Sequence, residues 1–298
     1  MTTAAPPAVS NRGIPQWLAP GSTSGALVAL LVLVILNSIF TANFATSSNF
    51  WNVLLQASQV VLVAVGMTLV IATGGIDLSV GSVMAIAGAV AATQLPRGIG
   101  VAVVLALLAA LLVGALNGAL ITRYSVQPIV VTLATLIAGR GLAQVLSNDG
   151  ELVPISNSAF ELLGRAYIGP LPMPVVIATI VVAAAAFALH ATPFSRYVLA
   201  SGGNPAAARL AGVPVRRTLL TVYIVCALLA GLAGLIEVAR LGASDAAKVG
   251  LNIELDAIAA VVVGGTALSG GRATILGTVV GALIMQVIAT SFNMLLVP

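Results

Sequence analysis

Charged residues are scarce in this chain. Only 7% of its 298 residues are Asp, Glu, Lys or Arg, and 60% are hydrophobic. An ordinary soluble domain carries roughly 25% charged residues. The composition therefore excludes a soluble globular protein and places most of the chain in a nonpolar solvent.

Cysteine, histidine and lysine each occur once, as Cys226, His190 and Lys248. A single cysteine excludes an intrachain disulfide, and one histidine with one cysteine supplies no obvious nucleophile pair or metal-ligand set. The lysine precedes Val249 and Gly250, so the chain has no G-x-x-x-x-G-K-[ST] loop for the phosphates of ATP. We therefore expect no enzymatic activity, no metal and no cofactor on this chain.

Aromatic residues make up 4% of the chain, and no basic patch is interleaved with them as a nucleic-acid surface requires. We interpret the net charge of +4 as a signal of membrane topology, because short cytoplasmic loops carry an excess of Lys and Arg. With the N-terminus inside, the cytoplasmic side receives Arg12, Arg123, Arg196, Arg209, Arg216, Arg217 and Arg272. The outer side receives Arg97, Arg165, Arg240 and Lys248, and Arg140 falls within a span.

Long hydrophobic runs are what the chain has in abundance. They lie at about 25–41, 52–72, 78–95, 98–121, 128–147, 174–190, 218–239, 255–268 and 275–295. A hydrocarbon core of about 30 Å requires ~20 apolar residues per helix. The sequence therefore predicts an all-α, polytopic integral membrane protein with about nine spans. Residues 1–24 would form a cytoplasmic tail and residues 25–298 a single transmembrane domain.

The stretch 128–147 carries a polar stripe. At the 100° per residue of a helix, one arc collects Thr132, Thr135, Gly139, Arg140, Ala143 and Ser147. Such a stripe faces protein or a water-filled interior, because an arginine at the centre of a bilayer costs at least about 2.5 kcal/mol. Two interpretations follow equally: the stripe lines a transport pathway, or it packs against neighbouring helices.

Local signals account for other polar and small residues. Asp77 and Asp256 stand at the beginnings of apolar runs, where a carboxylate can cap a helix by accepting backbone N–H bonds. Glu237 and Arg240 are three residues apart on one helix, which favours a local ion pair. Gly114 and Gly118, at helical spacing, predict close helix packing.

The loop at 191–217 is the longest predicted cytoplasmic connection. Proline in a first helical turn and glycine just beyond the last turn are boundary signals. The loop therefore contains a predicted short helix from Pro205 to Leu210, capped by Asn204 and closed by Gly212.

The run GMTLVIATGGIDLSVG at 66–81 resembles the ribose/xylose/galactose class of ABC sugar importer permeases. The resemblance covers residues 50–295 and includes the segments 117–118, 127–133, 139–141, 202–204, 206–212, 254–258, 264–265 and 269–272. Within the class, the segments 71–75, 138–144 and 254–256 are most similar to the galactofuranose or furanose-sugar branch.

The resemblance implies a vitamin-B12-importer-like fold of about ten helices per subunit, in the inner or plasma membrane of a prokaryote. It also implies a second permease subunit, identical or homologous, with the path between the two. Further implied partners are two copies of an ATPase subunit, or a fused one, which bind ATP and Mg, and a soluble sugar-binding protein. Membrane lipid surrounds the assembly. The substrate would be a pentose or hexose, including furanose forms. The alternatives are a branched-chain amino-acid-type ABC permease and a secondary sugar carrier.

Three groups of site residues follow. The residues expected to couple to the ATPase are Asn204, Pro205, Ala207, Ala208, Arg209 and Gly212. The candidate pathway residues are Asn117, Thr132, Thr135, Arg140 and Gln144. The structural motif comprises Gly74, Gly75, Asp77 and Asp256.

This sequence departs from the family pattern in two places. Ala206 stands where the coupling motif normally begins with an acidic residue. Relatives usually continue into one more hydrophobic helix beyond the position of Pro298, so the chain is expected to be truncated or naturally short.

Overall fold

The computed structural model describes residues 23–147 and 149–295, most of which are helical. The first helices are α1 (Thr23–Phe40), α2 (Ser47–Ala72), α3 (Val80–Gln94), α4 (Ile99–Tyr124), α5 (Pro128–Leu146) and α6 (Ser158–Arg165). They are followed by α7 (Met173–Ala191), α8 (Pro193–Gly203), α9 (Pro205–Leu210), α10 (Val215–Leu241), α11 (Ile253–Val263) and α12 (Ile275–Met294). The short strands are β1 (Val153–Pro154), β2 (Tyr167–Ile168), β3 (Leu171–Pro172) and β4 (Ala243–Ser244).

Seven of the described helices are long and apolar enough to cross a membrane, namely α1, α2, α4, α5, α7, α10 and α12. The all-α, polytopic membrane class is thus confirmed. Two further predicted spans coincide with shorter helices, since α3 has 15 residues and α11 has 11. At 1.5 Å per residue these reach only about 22 Å and about 16 Å, less than the hydrocarbon thickness. The count of nine spans therefore stays a prediction.

Helices α2 and α10 form the centre of the bundle. Glycines let the neighbouring backbones approach closely. A Cβ added to Gly66 of α2 would lie 2.9 Å from the Cα of Cys226, and one on Gly114 of α4 would lie 2.9 Å from the Cα of Ile224. Gly118, one turn later, similarly faces Leu220. The close packing predicted for Gly114 and Gly118 is therefore confirmed, with α10 as the partner.

The connections between helices gather at two ends of the bundle. At one end β1 pairs with β4, and the N–H of Ile155 donates to the carbonyl of Gly242 at 2.9 Å. At the other end the N–H of Gly271 donates to the carbonyl of Ala72 at 2.9 Å. In both cases the two loops in contact are predicted to lie on the same side of the membrane, as expected if successive spans alternate in direction. The arginine distribution alone assigns the second end to the cytoplasm.

Residues 1–22 lie outside the described residues. The predicted cytoplasmic tail at 1–24 therefore falls almost entirely outside them, and α1 begins at Thr23. Helix α1 packs against α12 through Ala26 and Val280.

Candidate functional site

A non-helical segment at 73–79 interrupts the bundle between α2 and α3. Gly74 has a φ of +81°, a conformation that L side chains rarely adopt, and it allows the chain to turn at the end of α2. Gly75 faces the phenol of Tyr223 so closely that an added Cβ would contact its hydroxyl oxygen. Both glycines of the predicted motif are thus required by geometry, one by its φ angle and the other by the space available.

Asp77 lies inside this segment and is fully buried. Its Oδ1 accepts the backbone N–H of Ser79 at 2.9 Å and the Ser79 hydroxyl at 2.6 Å. Asp77 therefore accepts a backbone N–H just before α3, but it does not cap the helix as predicted, because that N–H belongs to the N-cap residue Ser79 and α3 has no side-chain cap hydrogen bond. The other oxygen, Oδ2, has no hydrogen-bond partner among the described residues.

A chain of hydrogen bonds connects the segment around Asp77 to two helices, α4 and α5. The amide of Asn117 on α4 donates to Ser79 Oγ at 2.9 Å. The hydroxyl of Thr135 on α5 donates in turn to Asn117 Oδ1 at 2.7 Å. Thr132, one turn earlier on α5, donates to the carbonyl of Ile76 at 3.3 Å. Apart from Asp77 Oδ2, the polar groups of this network, which would be costly to expose to lipid, are thus bonded within one subunit.

The polar stripe of α5 faces this network. Thr132 and Asn117 are fully buried, and Thr135 is partly buried. These contacts are the ones that the helix-packing interpretation predicts. The opposite face of α5 is exposed and mostly apolar, with Leu133, Ile137, Leu142 and Val145 on the outside of the bundle. Gln144 lies on the exposed side, so the structure does not bring it together with the other four candidate pathway residues.

Arg140 does not point toward lipid. Its Nη1 donates to the carbonyls of Ala246 at 3.1 Å and Val249 at 2.6 Å, and Nη2 donates to the carbonyl of Gly250 at 3.4 Å. The acceptors belong to the non-helical segment at 245–252, between β4 and α11. Arg140 therefore holds this segment in place, and backbone carbonyls replace the water that the guanidinium would otherwise need.

The segment 245–252 runs along α3 into the bundle. Close to Gly88 of α3 lie Ser244 and Val249, and close to Gly81, at the start of α3, lie the Gly250 carbonyl and Glu254. A Cβ on Gly81 would be 2.6 Å from Glu254 Oε2. Two interrupted segments, 73–79 and 245–252, thus meet at the beginning of α3. Non-helical backbone at membrane depth is tolerated where it is enclosed by protein in this way.

Two sequence predictions about this region are wrong. Glu237 does not pair with Arg240: its Oε2 accepts the N–H of Gly250 at 3.2 Å, and the ion pairs among described residues are Arg165 with Glu161 and Lys248 with Asp245. A loop folded back into the bundle offers Glu237 a backbone partner, which the local spacing did not reveal.

Asp256 does not cap α11. The N-cap position belongs to Asn252, whose side chain forms no cap hydrogen bond, and Asp256 is the fourth residue of the helix. The carboxylate lies past the unpaired N–H groups that a cap serves. Its place in the first turn still suits the positive end of the helix dipole.

The predicted helix in the loop at 191–217 is confirmed as α9. Asn204 caps it, because its Oδ1 accepts the N–H of Ala207 at 3.0 Å. Pro205 occupies the first turn, and Ala208 is buried against the bundle. Gly212 has a φ of +81° and lets the chain turn toward α10. These are local boundary signals, which is why the sequence revealed them.

Helix α8 links α9 to the interrupted segment after α2. Gly202, near the end of α8, faces the carbonyl of Ala72 so closely that an added Cβ would contact it, and that Cβ would be 2.8 Å from the Gly271 nitrogen. Gly270 in turn lies beside Gly74, with an added Cβ 3.0 Å from the Gly74 nitrogen. Helix α8, which precedes the coupling candidates, therefore meets the end of α2 through close backbone contacts of glycine.

Two features of this end were missed at the sequence level. Helix α8 itself was not predicted, although Thr192 and Pro193 carried a start signal: Thr192 Oγ1 accepts the N–H of Phe194 at 3.2 Å. Leu210 was not singled out, yet its side chain is 92% exposed.

Comparisons with known proteins identify the family of this chain. A family model described as branched-chain amino acid transport system / permease component matches residues 49–298. The ribose import permease protein of Escherichia coli (strain K12) is 45% identical over 277 residues, which cover 91% of this chain and 85% of that protein. The corresponding protein of Bacillus subtilis (strain 168) is 39% identical, with 91% of this chain and 85% of that protein covered.

The galactofuranose transporter permease protein of Escherichia coli (strain K12) is 41% identical, over 87% of this chain and 79% of that protein. No solved structure matches the chain. The matched region includes both interrupted segments, the network around Asp77 and the loop that contains α9. The chain is therefore a member of the ABC-importer permease family that the matching model describes, in the class that includes the ribose and galactofuranose permeases.

Proposed function

We propose that this chain is the membrane-spanning, non-enzymatic subunit of an ABC importer that translocates a monosaccharide across the inner membrane of a prokaryote. The observation that carries the proposal is the 45% identity to a ribose import permease over 91% of the chain. ATP would be hydrolysed on separate subunits, and a soluble binding protein would deliver the sugar. A second copy, or a homologous chain, would complete the path.

The proposed route for force is the backbone contact between α8 and the end of α2. A short helix moves as a body because its hydrogen bonds are internal. Displacement of α9 by an ATPase subunit would therefore be passed to α8, and from Gly202 to Ala72 at the end of α2. We infer that Asn204, Pro205, Ala207, Ala208, Arg209 and Gly212 form or support this docking element.

The proposed path for the sugar follows α5. Because Thr132, Thr135, Asn117 and Arg140 are bonded within one subunit, we propose that they fix the position of α5 beside the path. The side chains that would face the path or a second subunit are those of the exposed arc, including Gln144.

Sugar, rather than a branched-chain amino acid, is the proposed substrate because the relatives described above are permeases for ribose and galactofuranose. The galactofuranose permease is slightly less identical than the Escherichia coli ribose permease, at 41% against 45%. Overall identity therefore does not favour the furanose branch, and ribose is the first sugar to test.

The experiment is uptake by proteoliposomes that contain the chain with its ATPase subunit, supplied with the binding protein and ATP. We expect ATP-dependent uptake of labelled ribose or a related monosaccharide, and no uptake of leucine. An ATPase subunit with an inactivated phosphate-binding lysine is the control. Uptake of leucine alone, or sugar uptake driven by a proton gradient without ATP, would replace this proposal with one of the two alternatives.

Coupling through α9 is tested in the same vesicles with Gly212→Val. A β-branched residue at the observed φ of +81° costs about 1–2 kcal/mol or more, although no atom lies within 4 Å of the added Cβ. We expect strongly reduced uptake and sugar-stimulated ATP hydrolysis with normal membrane insertion. Gly212→Asn is the matched control, because asparagine tolerates this conformation. Full coupling in the valine variant would place docking elsewhere.

A further inference from the structure

Helices α2 and α12 carry matching polar stripes in the predicted outer half of the bundle, where α2 begins and α12 ends. On each helix the polar residues follow the spacing i, i+4 and i+7, which places them on one helical face. The two stripes, named the amide face, consist of Asn52, Gln56 and Gln59 on α2 and of Gln286, Thr290 and Asn293 on α12. A hydrogen bond of 3.2 Å from Gln286 Nε2 to Gln56 Oε1 joins them.

The amide face runs from the surface into the bundle. Asn52 and Asn293 are exposed, and Gln56 and Gln286 are partly buried. Gln59 is only 8% exposed. At 1.5 Å per residue it lies about 18 Å from the start of α2, close to the middle of that helix. Lipid head groups stay outside the hydrocarbon core of about 30 Å, so the inner part of the face is beyond their reach.

Gln59 is the deepest residue of the amide face on α2, and its amide nitrogen is unsatisfied. Nε2 is buried and has no hydrogen-bond partner among the described residues. A buried amide donor without a partner costs free energy. The bond between Gln56 and Gln286 already joins the two helices without Gln59. Packing of α2 on α12 therefore does not account for this side chain, and its position favours a ligand that brings an acceptor oxygen.

Helix α11 leaves the outer part of the amide face uncovered. It packs against both α2 and α12. Cβ atoms added to Gly277 and Gly281 of α12 would contact the carbonyls of Gly264 and Ala260. At the same antiparallel spacing the first residue of α11, Ile253, comes level with about residue 288 of α12. Farther out, α11 covers neither α2 nor α12, so the amide face opens toward the outer side.

The chemistry of the amide face suits a neutral ligand with several hydroxyl groups. Five of its six side chains are carboxamides and the sixth is a hydroxyl. Each carboxamide offers two donor hydrogens and an acceptor oxygen, and a sugar hydroxyl can meet either. A few placed polar groups of this kind fix the orientation of a small ligand. None of the six is charged, so the face offers no partner for the ammonium and carboxylate of an amino acid.

We propose that the amide face is a sugar-binding subsite of this permease, in which Gln59 Nε2 donates a hydrogen bond to a hydroxyl oxygen of the monosaccharide. This inference rests on the proposed function and adds a binding surface to the path proposed along α5. Asn52 and Asn293 meet the sugar at the outer opening. Gln56 and Gln286 then exchange their mutual bond for bonds to its hydroxyl groups.

The test compares Gln59→Leu with the wild type in proteoliposomes that contain the complete transporter, ATP and saturating binding protein loaded with labelled ribose. Leucine is of similar size but cannot donate. We expect maximal uptake per folded complex to fall about 5-fold, which corresponds to the loss of one neutral hydrogen bond. The unfolding temperature should stay the same or rise, because a buried unpaired amide is removed. Gln94→Leu is the matched control and should transport like the wild type, because Gln94 ends α3 and bonds to Arg97 at the surface.

The other outcomes overturn the inference in distinguishable ways. Unchanged uptake by Gln59→Leu beside an active wild type would refute the subsite and leave the proposed function standing. A lower unfolding temperature, with uptake reduced only in proportion to folded protein, would assign Gln59 to helix packing. Loss of assembly in native mass spectrometry would assign it to a subunit contact. A wild type that takes up no ribose or related monosaccharide with ATP would refute the proposed function and the subsite together. Gln59→Met replaces the leucine variant if that variant does not fold.

Discussion

The interrupted segment at 73–79 and helix α9 make opposite uses of polar and apolar groups. Around Asp77 the polar side chains lie inside the bundle and bond to one another between the segment at 73–79, α4 and α5. Around α9 a leucine and three arginines lie outside without partners in the described structure. The first region satisfies most of its own polar groups, with Asp77 Oδ2 an exception, whereas the charges around α9 face outward. We therefore expect residues that support the fold to be bonded inside the bundle, and residues that act on a partner or a substrate to be exposed or, like Gln59, to keep an unpaired group.

The link between the two regions should be the most sensitive point of the molecule. A Cβ on Gly202 would meet only backbone atoms, of Ala72 and Gly271, which cannot rotate away. We expect Gly202→Ala to destabilise the bundle by about 1–3 kcal/mol or more, as overpacking does, and to abolish uptake. Thermal unfolding in detergent and vesicle uptake measure the two effects.

The adjacent glycine supplies the control for this prediction. The nearest atom to a Cβ on Gly203 is the Cα of Gly271, at the ordinary distance of 3.9 Å. Gly203→Ala should therefore retain stability and uptake. Equal behaviour of the two alanine variants would show that the contact between α8 and α2 is not tight in the working protein.

A second prediction concerns Arg140, which donates hydrogen bonds to a distant segment of the chain. The guanidinium groups of Arg209, Arg216 and Arg217, in contrast, have no hydrogen-bond partner among the described residues. Arg140→Leu would leave the carbonyls of Val249 and Ala246 without a donor. Hydrogen bonds from charged groups contribute about 1.5–3 kcal/mol, so we expect faster hydrogen exchange and easier proteolysis of the segment at 245–252. Arg97→Leu is the control, because Arg97 is exposed and its bond to Gln94 lies at the surface. Unchanged exchange at 245–252 would remove Arg140 as the holder of this segment.

Local rules account for what the sequence predicted. The cap of α9 at Asn204 and the turn at Gly212 depend on residues a few positions apart, so their signals are complete in the sequence. The polar stripe of α5 was likewise visible in the helical period. The sequence did not show which part of the protein the stripe faces, because the period fixes which residues share a face and does not fix which neighbour covers that face.

Long-range contacts account for what the sequence could not predict. The acceptors of Arg140 lie 106 to 110 residues away in the chain, and no local pattern connects them. The exposure of Leu210 was hidden because leucine is usually buried, and only the packing of α9 shows which of its side chains faces outward. The wrong prediction of an ion pair between Glu237 and Arg240 has the same cause, since the backbone N–H that Glu237 accepts belongs to Gly250 on another segment.

The last prediction separates the two faces of α5, and it has the smallest expected effect on stability. Thr135→Val removes a hydroxyl that donates to Asn117 Oδ1 and to the carbonyl of Val131, and a hydrogen bond is worth about 1 kcal/mol. Gln144→Leu changes an exposed side chain and should leave the unfolding temperature unchanged. If the sugar passes along the exposed face, Gln144→Leu should lower uptake while stability and assembly stay unchanged. Thr135→Val should lower stability, and uptake should fall only in proportion to the amount of folded protein. Uptake per folded complex, measured beside thermal unfolding, distinguishes these effects. The reverse result, with a specific uptake defect in Thr135→Val and none in Gln144→Leu, would return the pathway to the polar stripe and break the distinction between supporting and functional residues drawn above.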